Sequence, residues 1–459
     1  MIATHRRPRA ARFVLRMAAC VLVAPLLATP PAVSPAPSAS SQTLADYLQR
    51  AQDANPALEA FRQRYEAALA RVPQARSLPD PTLQVTHFVE SVQTRTGPQE
   101  QVVMLAQKLP WFGTRRARAE AATAEAEALW FDYRARQLSL AREVAEAFYE
   151  YGYTARAKEL TDQGLQLLEE LAPVVEERVR GGSDLNPLLR LRVEMGKVQD
   201  RLRSLEEQRH AQSARLAALL DQSSATLLPW PEWPLPSPAP APSLGELTRA
   251  LHRHNPELAA LERGVASRAA RRELARLGGF PDLSVGLNYI RLGEPLVPTT
   301  PDAGQDPWGL TVSVNLPLWR GRVDAARAEA LASQRAAEAT LAQRRNALEA
   351  ELSTLLSRQR DAERRLALYG DELLPLARQA LENSQTSYQA GRAGILEVID
   401  SERSLLELET LYWRAAADTW QARVALRALV GGMEDEGPDS MDDRDPSRAA
   451  HRNADQPQR

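Results

Sequence analysis

Strict alternation of apolar and polar residues is confined to a few short stretches of the chain, set between long runs with helical spacing. Leu283, Val285, Leu287 and Tyr289 alternate with Ser284, Gly286 and Asn288. Trp308, Leu310, Val312, Val314 and Leu316 alternate with Gly309, Thr311, Ser313 and Asn315. A period of two puts all the apolar residues on one face of a strand. The pattern predicts strands over 283–291 and 308–316, with weaker copies over 83–93 and 101–109 joined through Thr96-Gly97-Pro98. Helical composition predicts helices over 43–76, 114–180, 187–221, 243–277, 322–389 and 395–430. The run over 114–180 corresponds to on the order of 100 Å of helix. Gly181-Gly182-Ser183 and the segment from Gly391 to Gly394 break the helical runs. Pro173 and Pro375 lie inside them at matching places, where each should kink or loosen its helix.

The elements come twice. Asn55-Pro56-Ala57-Leu58 returns as Asn255-Pro256-Glu257-Leu258, and Pro81-Thr82-Leu83 returns as Pro281-Asp282-Leu283. Leu109-Pro110-Trp111-Phe112-Gly113 returns as Leu316-Pro317-Leu318-Trp319-Arg320-Gly321. The organisation that follows is a signal and flexible leader over 1–41, a first repeat over 42–222, a proline-rich linker over 223–243, a second repeat over 244–432 and a disordered tail over 433–459. The fold class is mainly α with a small β part.

The long helices carry spacings of seven. Val398, Leu405 and Tyr412 form one stripe, and Ile399, Leu406 and Trp413 form its neighbour. Leu341, Leu348, Leu352 and Leu355 mark another. Two stripes per helix suit the wall of a helical tube; an ordinary antiparallel bundle explains the same spacing. The strands are open to two readings as well, a membrane barrel with a wet lumen or a half-buried hairpin of a soluble sheet. Four strands cannot close a membrane barrel, which starts at about eight, so a spanning sheet requires several chains in one barrel.

Charge and composition narrow the function. A net charge of -2 gives no general basic field, which argues against nucleic acid as a partner. His5-Arg6-Arg7, Arg9, Arg12 and Arg16 followed by apolar Met17 to Ala28 read as an export signal, too short for a span of about 20 residues. Cys20 is the only cysteine, so no disulfide forms within the chain. It is a candidate for lipidation, or is removed with the signal. After the signal no apolar run suits a membrane helix, so any spanning part must be β. No P-loop, Rossmann fingerprint or nucleophile elbow occurs. His252 and His254 point to different helix faces and His87 stands alone, so no metal site and no cofactor are expected, and the chain does not read as an enzyme.

The duplicated order of helix, two strands and two long helices resembles the TolC-like family of outer-membrane efflux proteins. The resemblance rests also on the Asn-Pro opening each repeat, the Leu-Pro…Trp…Gly strand exits and the glycine-broken tips. It implies a homotrimer in the outer membrane with most of the chain in the periplasm, an α-helical barrel and a shared twelve-stranded β-barrel, three chains giving four strands each. It implies a periplasmic adaptor, or membrane fusion protein, and an inner-membrane pump as partners, with outer-membrane lipid around the strands. Relatives with a similar strand exit serve heavy-metal pumps, so metal cations stand beside drugs and proteins as cargo. A periplasmic coiled-coil adaptor or structural protein, and an exit duct for type I protein secretion, are the rival readings.

The tips carry the mechanistic expectations. The segment from Tyr388 to Asp400 is similar to the family's aperture segment, in which two acids three apart line the constriction; Glu397 and Asp400 match them. In a first helical turn the same acids would also complement the helix dipole. The first tip departs from the family in lacking an acid near Leu188 or Leu189. Arg180, Gly182, Asp184, Gly391, Arg392 and Gly394 are candidates for gating or adaptor docking, the charged ones also reading as solvated turn residues. Trp111, Phe112 and Trp319 are placed either at the membrane interface or inside the strand-to-helix transition.

Overall fold

Two residues set where the chain begins its helices. Asn55 and Asn255 hold nearly identical extended conformations (φ -68°, ψ 116° and φ -68°, ψ 118°) ahead of Pro56 and Pro256. A proline disfavours helical geometry in the residue before it. The helices expected over 43–76 and 243–277 are therefore each two: α1 (Leu44–Ala54) with α2 (Pro56–Arg76), and α5 (Leu244–His254) with α6 (Pro256–Leu277). α1 and α5 each open with a capping box, Thr43 with Asp46 and Ser243 with Glu246. The structure is a computed structural model whose described residues are 43–225, 227–237, 242–295 and 301–432. The expected signal and leader with Cys20, and the tail over 433–459, lie outside the described residues.

Strands β1 (Thr82–Thr94), β2 (Gly97–Leu109), β3 (Leu283–Leu292) and β4 (Trp308–Val314) form one antiparallel sheet in that order. The pairing of β2 with β3 joins hairpins about two hundred residues apart in sequence. Its register lines up Leu83, Leu105, Leu287 and Leu310 across all four strands, and beside them Val85, Val103, Tyr289 and Trp308. The other face carries Gln84, Met104, Asn288 and Gly309, then Thr82, Ala106, Gly286 and Thr311. The four aligned leucines are between 48% and 68% exposed, so the chain leaves its most apolar sheet face uncovered.

The sheet leads into α3 (Thr114–Arg180), a helix of 67 residues, and α4 (Asn186–Leu219) returns beside it. The later half repeats this with α7 (Arg320–Ala367), a π-helical turn (Leu368–Leu373), α8 (Leu374–Gln389) and α9 (Ile395–Leu429). The π turn is the structure's answer to Pro375. Leu374 donates to Tyr369 O, five residues back, and Gly370 lets the Tyr412 ring press against the widened turn. Pro173 lies inside α3, which is α-helical on both sides of it.

Three clusters hold the helices. Tyr47, Leu140, Phe148, Tyr151, Leu216 and Ala416 centre one, and Leu251, Leu258, Leu348, Leu352 and Leu426 centre its counterpart. The third lies at the far end of α3. The proline-rich connector packs rather than floats: Trp233 fills a notch at Gly152, and Tyr151 donates to Leu228 O at 2.6 Å.

Asn55 and Asn255 also close the bundle. Each side-chain oxygen caps the following helix, while Nδ2 donates to Leu219 O at 3.0 Å and to Leu429 O at 2.7 Å. These carbonyls belong to the last residues of α4 and α9, which have no partner within their helices. Asn255→Ala removes a cap and strands a buried carbonyl, so denaturant titration should show a loss of about 2–3 kcal/mol. Asn255→Asp, which keeps the capping oxygen but cannot donate to Leu429 O, should not rescue it.

Candidate functional site

The two tips share one turn chemistry. Gly182 (φ 95°) and Gly391 (φ 73°) sit just past α3 and α8 in the left-handed region that side chains avoid. Behind them Ser183 N–H reaches Arg178 O at 3.0 Å and Arg392 N–H reaches Ser387 O at 2.9 Å. This is the Schellman closure of a helix C-terminus. Arg180 ends α3 and pairs with Glu177 at 3.1 Å in an exposed position. Asp184 accepts the backbone and side-chain amides of Asn186, which hold its carboxyl below the usual carboxylate range. Arg392 is exposed, and Gly394 precedes α9 without a side-chain cap.

Glu397 and Asp400 are exposed on one side of α9, while Val398 and Ile399 between them are buried. Among the described residues neither carboxylate makes an ion pair. The tip core beneath them joins Leu168 and Val175 of α3, Leu188 and Leu191 of α4, Tyr388 of α8, and Ile395 and Val398 of α9. Leu188, where the family pattern has an acid nearby, is thus part of that core, and Leu189 is exposed. The brace between the two hairpins comes from elsewhere. Arg178 stacks over the Tyr388 ring at 4.1 Å from its centroid and donates to Tyr388 O at 3.1 Å. One guanidinium therefore gives a second donor to a terminal carbonyl of α8, which also accepts the Gly391 N–H, and places positive charge at that helix's negative end.

At the other end of α3 the three aromatic candidates part company. Trp111 stacks on Phe280 with centroids 5.3 Å apart, and its backbone N–H donates to Asp282 Oδ1 at 3.0 Å. Phe112 and Trp319 are 86% and 78% exposed. Lys108 Nζ holds the other oxygen of Asp282 at 2.9 Å, so this one carboxylate ties the exit of β2 to the start of β3.

This arrangement of sheet, long helices and tips can be set beside known proteins. The family model for outer membrane efflux proteins matches residues 47–222 and 247–432. The chain belongs to the outer membrane efflux protein family. It is 27% identical over 346 residues to the pyoverdine export outer membrane protein OpmQ of Pseudomonas putida, covering 72% of this chain and 69% of that one. It is 26% identical over 417 residues to the cobalt-zinc-cadmium resistance protein CzcC of Cupriavidus metallidurans, covering 87% and 92%. The solved outer-membrane channel OprN shares the fold with a TM-score of 0.73 at 21% identity, over 85% of this chain and 90% of that one.

In this efflux protein four residues near the tips and junction have roles that the sequence alone does not assign. Arg178 and Tyr388 are 210 positions apart, so no local spacing could pair them. Asp282 is visible as the one charged residue in the repeated Pro-x-Leu strand entry, yet its partners are again remote. Glu402 of α9 lies half-buried against Gly164 of α3, where an added Cβ would stand 3.0 Å from its carboxylate. Burial pushes the Glu402 carboxyl up to about 7, with Glu409 adding to the shift.

Replacing Arg178 by Ala removes a stacked cation and a hydrogen bond worth together about 1–2 kcal/mol. Amide exchange in the last turn of α8 should accelerate about tenfold. Arg178→Lys, which keeps charge but loses the planar stack, should restore part of the protection. The folded chain keeps the Glu402 proton that the unfolded chain releases, so its stability is full below the ordinary carboxylate range. It falls as pH rises from 4.5 to about 7. Thermal unfolding across that window should show the loss, and Glu402→Gln should flatten it.

Proposed function

We propose that this chain is the exit duct of a tripartite efflux pump: a homotrimer that conducts substrate passively across periplasm and outer membrane, driven by an inner-membrane pump through a periplasmic adaptor. The observation that carries this reading is the sheet. Its apolar face is exposed on all four strands, and its edge strands β1 and β4 have no further partner among the described residues. Within a bilayer every backbone amide and carbonyl needs a partner, so an open sheet can span only by meeting another copy at each edge. Three chains give twelve strands, enough to close a barrel. No described helix is long and apolar enough to cross a membrane, which leaves the sheet to do so. A periplasmic adaptor or a structural coiled coil would gain nothing from such a face.

The helices then form the duct wall, with the tips as its periplasmic end. Glu397 and Asp400 of three chains would make a ring of six carboxylates, attracting cations and repelling one another as the ring tightens. Opening would spread the ends of the hairpins and break the Arg178–Tyr388 brace. Phe112 and Trp319 would lie at the periplasmic interface, and the turns at Gly182 and Gly391, with Arg180, Asp184, Arg392 and Gly394, would face the adaptor. The relatives differ in cargo by name, pyoverdine in one and cobalt, zinc and cadmium in the other. The metal relative matches more of this chain, and metal cations are accordingly the first cargo to test.

In planar bilayers, Glu397→Ala combined with Asp400→Ala should raise single-channel conductance and reduce cation preference. Unchanged conductance and selectivity would remove both residues from the aperture.

A further inference from the structure

The four short helices that lead toward the strands open in one way, and the two long helices that leave the strands open in another. α1, α2, α5 and α6 each carry an acid in the first turn and a side-chain cap, as the positive end of a helix dipole favours. α3 and α7 have neither. They open instead with arginine, Arg115 and Arg116 followed by Arg118 in one, and Arg320 and Arg322 in the other. Cations there oppose the dipole, and the chain places them at both strand exits.

Both exits lie against the end of α6. Trp111 stacks on Phe280, and Arg327 of α7 donates to Arg276 O. The nearby carboxylates are already engaged: Lys108 holds Asp282, Arg276 holds Glu273 and Arg116 holds Glu120. Among the described residues Arg115, Arg118, Arg320 and Arg322 make no ion pair, and all four are exposed, although Arg115 donates to Arg76 O and Arg118 adds to the positive field at Asp282. Phe112 and Trp319 stand exposed next to them, and Leu316 and Leu318 continue the uncovered apolar surface of the sheet toward the arginines. An apolar face, then exposed aromatic rings, then unneutralised guanidinium groups is the sequence of chemistries met in leaving a bilayer through its head groups.

We propose that Arg115, Arg118, Arg320 and Arg322 form a collar that binds the phosphates of anionic phospholipids in the leaflet facing the helices. This rests on the reading that the sheet spans the membrane. Arginine suits the task because its planar fork pairs with phosphate in a bidentate way. The lipid would supply the negative charge that the first turns of α3 and α7 lack, so lipid binding and the alignment of the two helices on the sheet are linked.

The test uses the full chain reconstituted into vesicles of phosphatidylethanolamine alone, or of equal parts phosphatidylethanolamine and phosphatidylglycerol. Lipid retained by the extracted protein is then measured by native mass spectrometry. Phosphatidylglycerol should be enriched about fivefold or more over phosphatidylethanolamine. The enrichment should be lost in the variant combining R115Q, R118Q, R320Q and R322Q, and kept when the same four positions carry lysine. Equal retention of both lipids by the native chain, or enrichment that survives the glutamine variant, overturns the collar while leaving the channel intact. A native chain that inserts into neither vesicle overturns the membrane-spanning sheet, and the collar with it.

Discussion

The architecture depends on an asparagine side chain used at both ends. In Asn55 and Asn255 the oxygen starts one helix and the amide nitrogen closes another that ends about 170 residues later. A carbonyl at a buried helix terminus must find a donor, and here the donor is fixed by the proline that follows it. The start and finish of each long excursion are thus held at one level. The helices of α3–α4 and of α7–α9 run out from that level and back to it. The connector is bound to the same region through Leu228 and Trp233, so the two halves meet at a girdle of aromatic and aliphatic side chains.

Away from the girdle the two ends of α3 are built on opposite principles. At the sheet end, apolar residues are left uncovered and the first helical turns carry unneutralised arginine. At the tip end, apolar residues are gathered into a core and the exposed positions include both acids and arginines. The proposed passage of the chain from lipid to water would call for both. The tip is braced without a carboxylate. With Leu188 committed to the core, the link between hairpins passes to Arg178, which needs no carboxylate because it uses the face of Tyr388 and a helix-terminal carbonyl.

Much of this was legible in the order of residues. The alternation in 283–291 and 308–316, the 114–180 helix and the glycine turns at 182 and 391 appear where local pattern puts them, because period, backbone permissiveness and breakers act over a few residues. One expectation failed for a reason that is also physical. The helices over 43–76 and 243–277 are interrupted because the cap and the proline outweigh an otherwise continuous helical composition. Pro375 loosens its helix as its ring demands, through a π turn against which the Tyr412 ring packs at Gly370. Of the three aromatic residues, Trp111 proved to be packing while Phe112 and Trp319 stayed exposed, a division that depends on Phe280 more than 160 residues away.

By itself the sequence determined the kinds of element, their duplicated order, the faces of the strands and the positions of the turns, since each is dictated by neighbours within one or two turns of chain. It also determined that Glu397 and Asp400 share a helix face. The tertiary structure decided which distant groups meet. It paired β2 with β3, making one four-stranded apolar face out of two separate hairpins. It brought Arg178 onto Tyr388 and Glu402 against Gly164, and it set both strand exits against the end of α6. Such contacts join residues tens to hundreds of positions apart, and closing those loops becomes favourable only when the whole bundle packs.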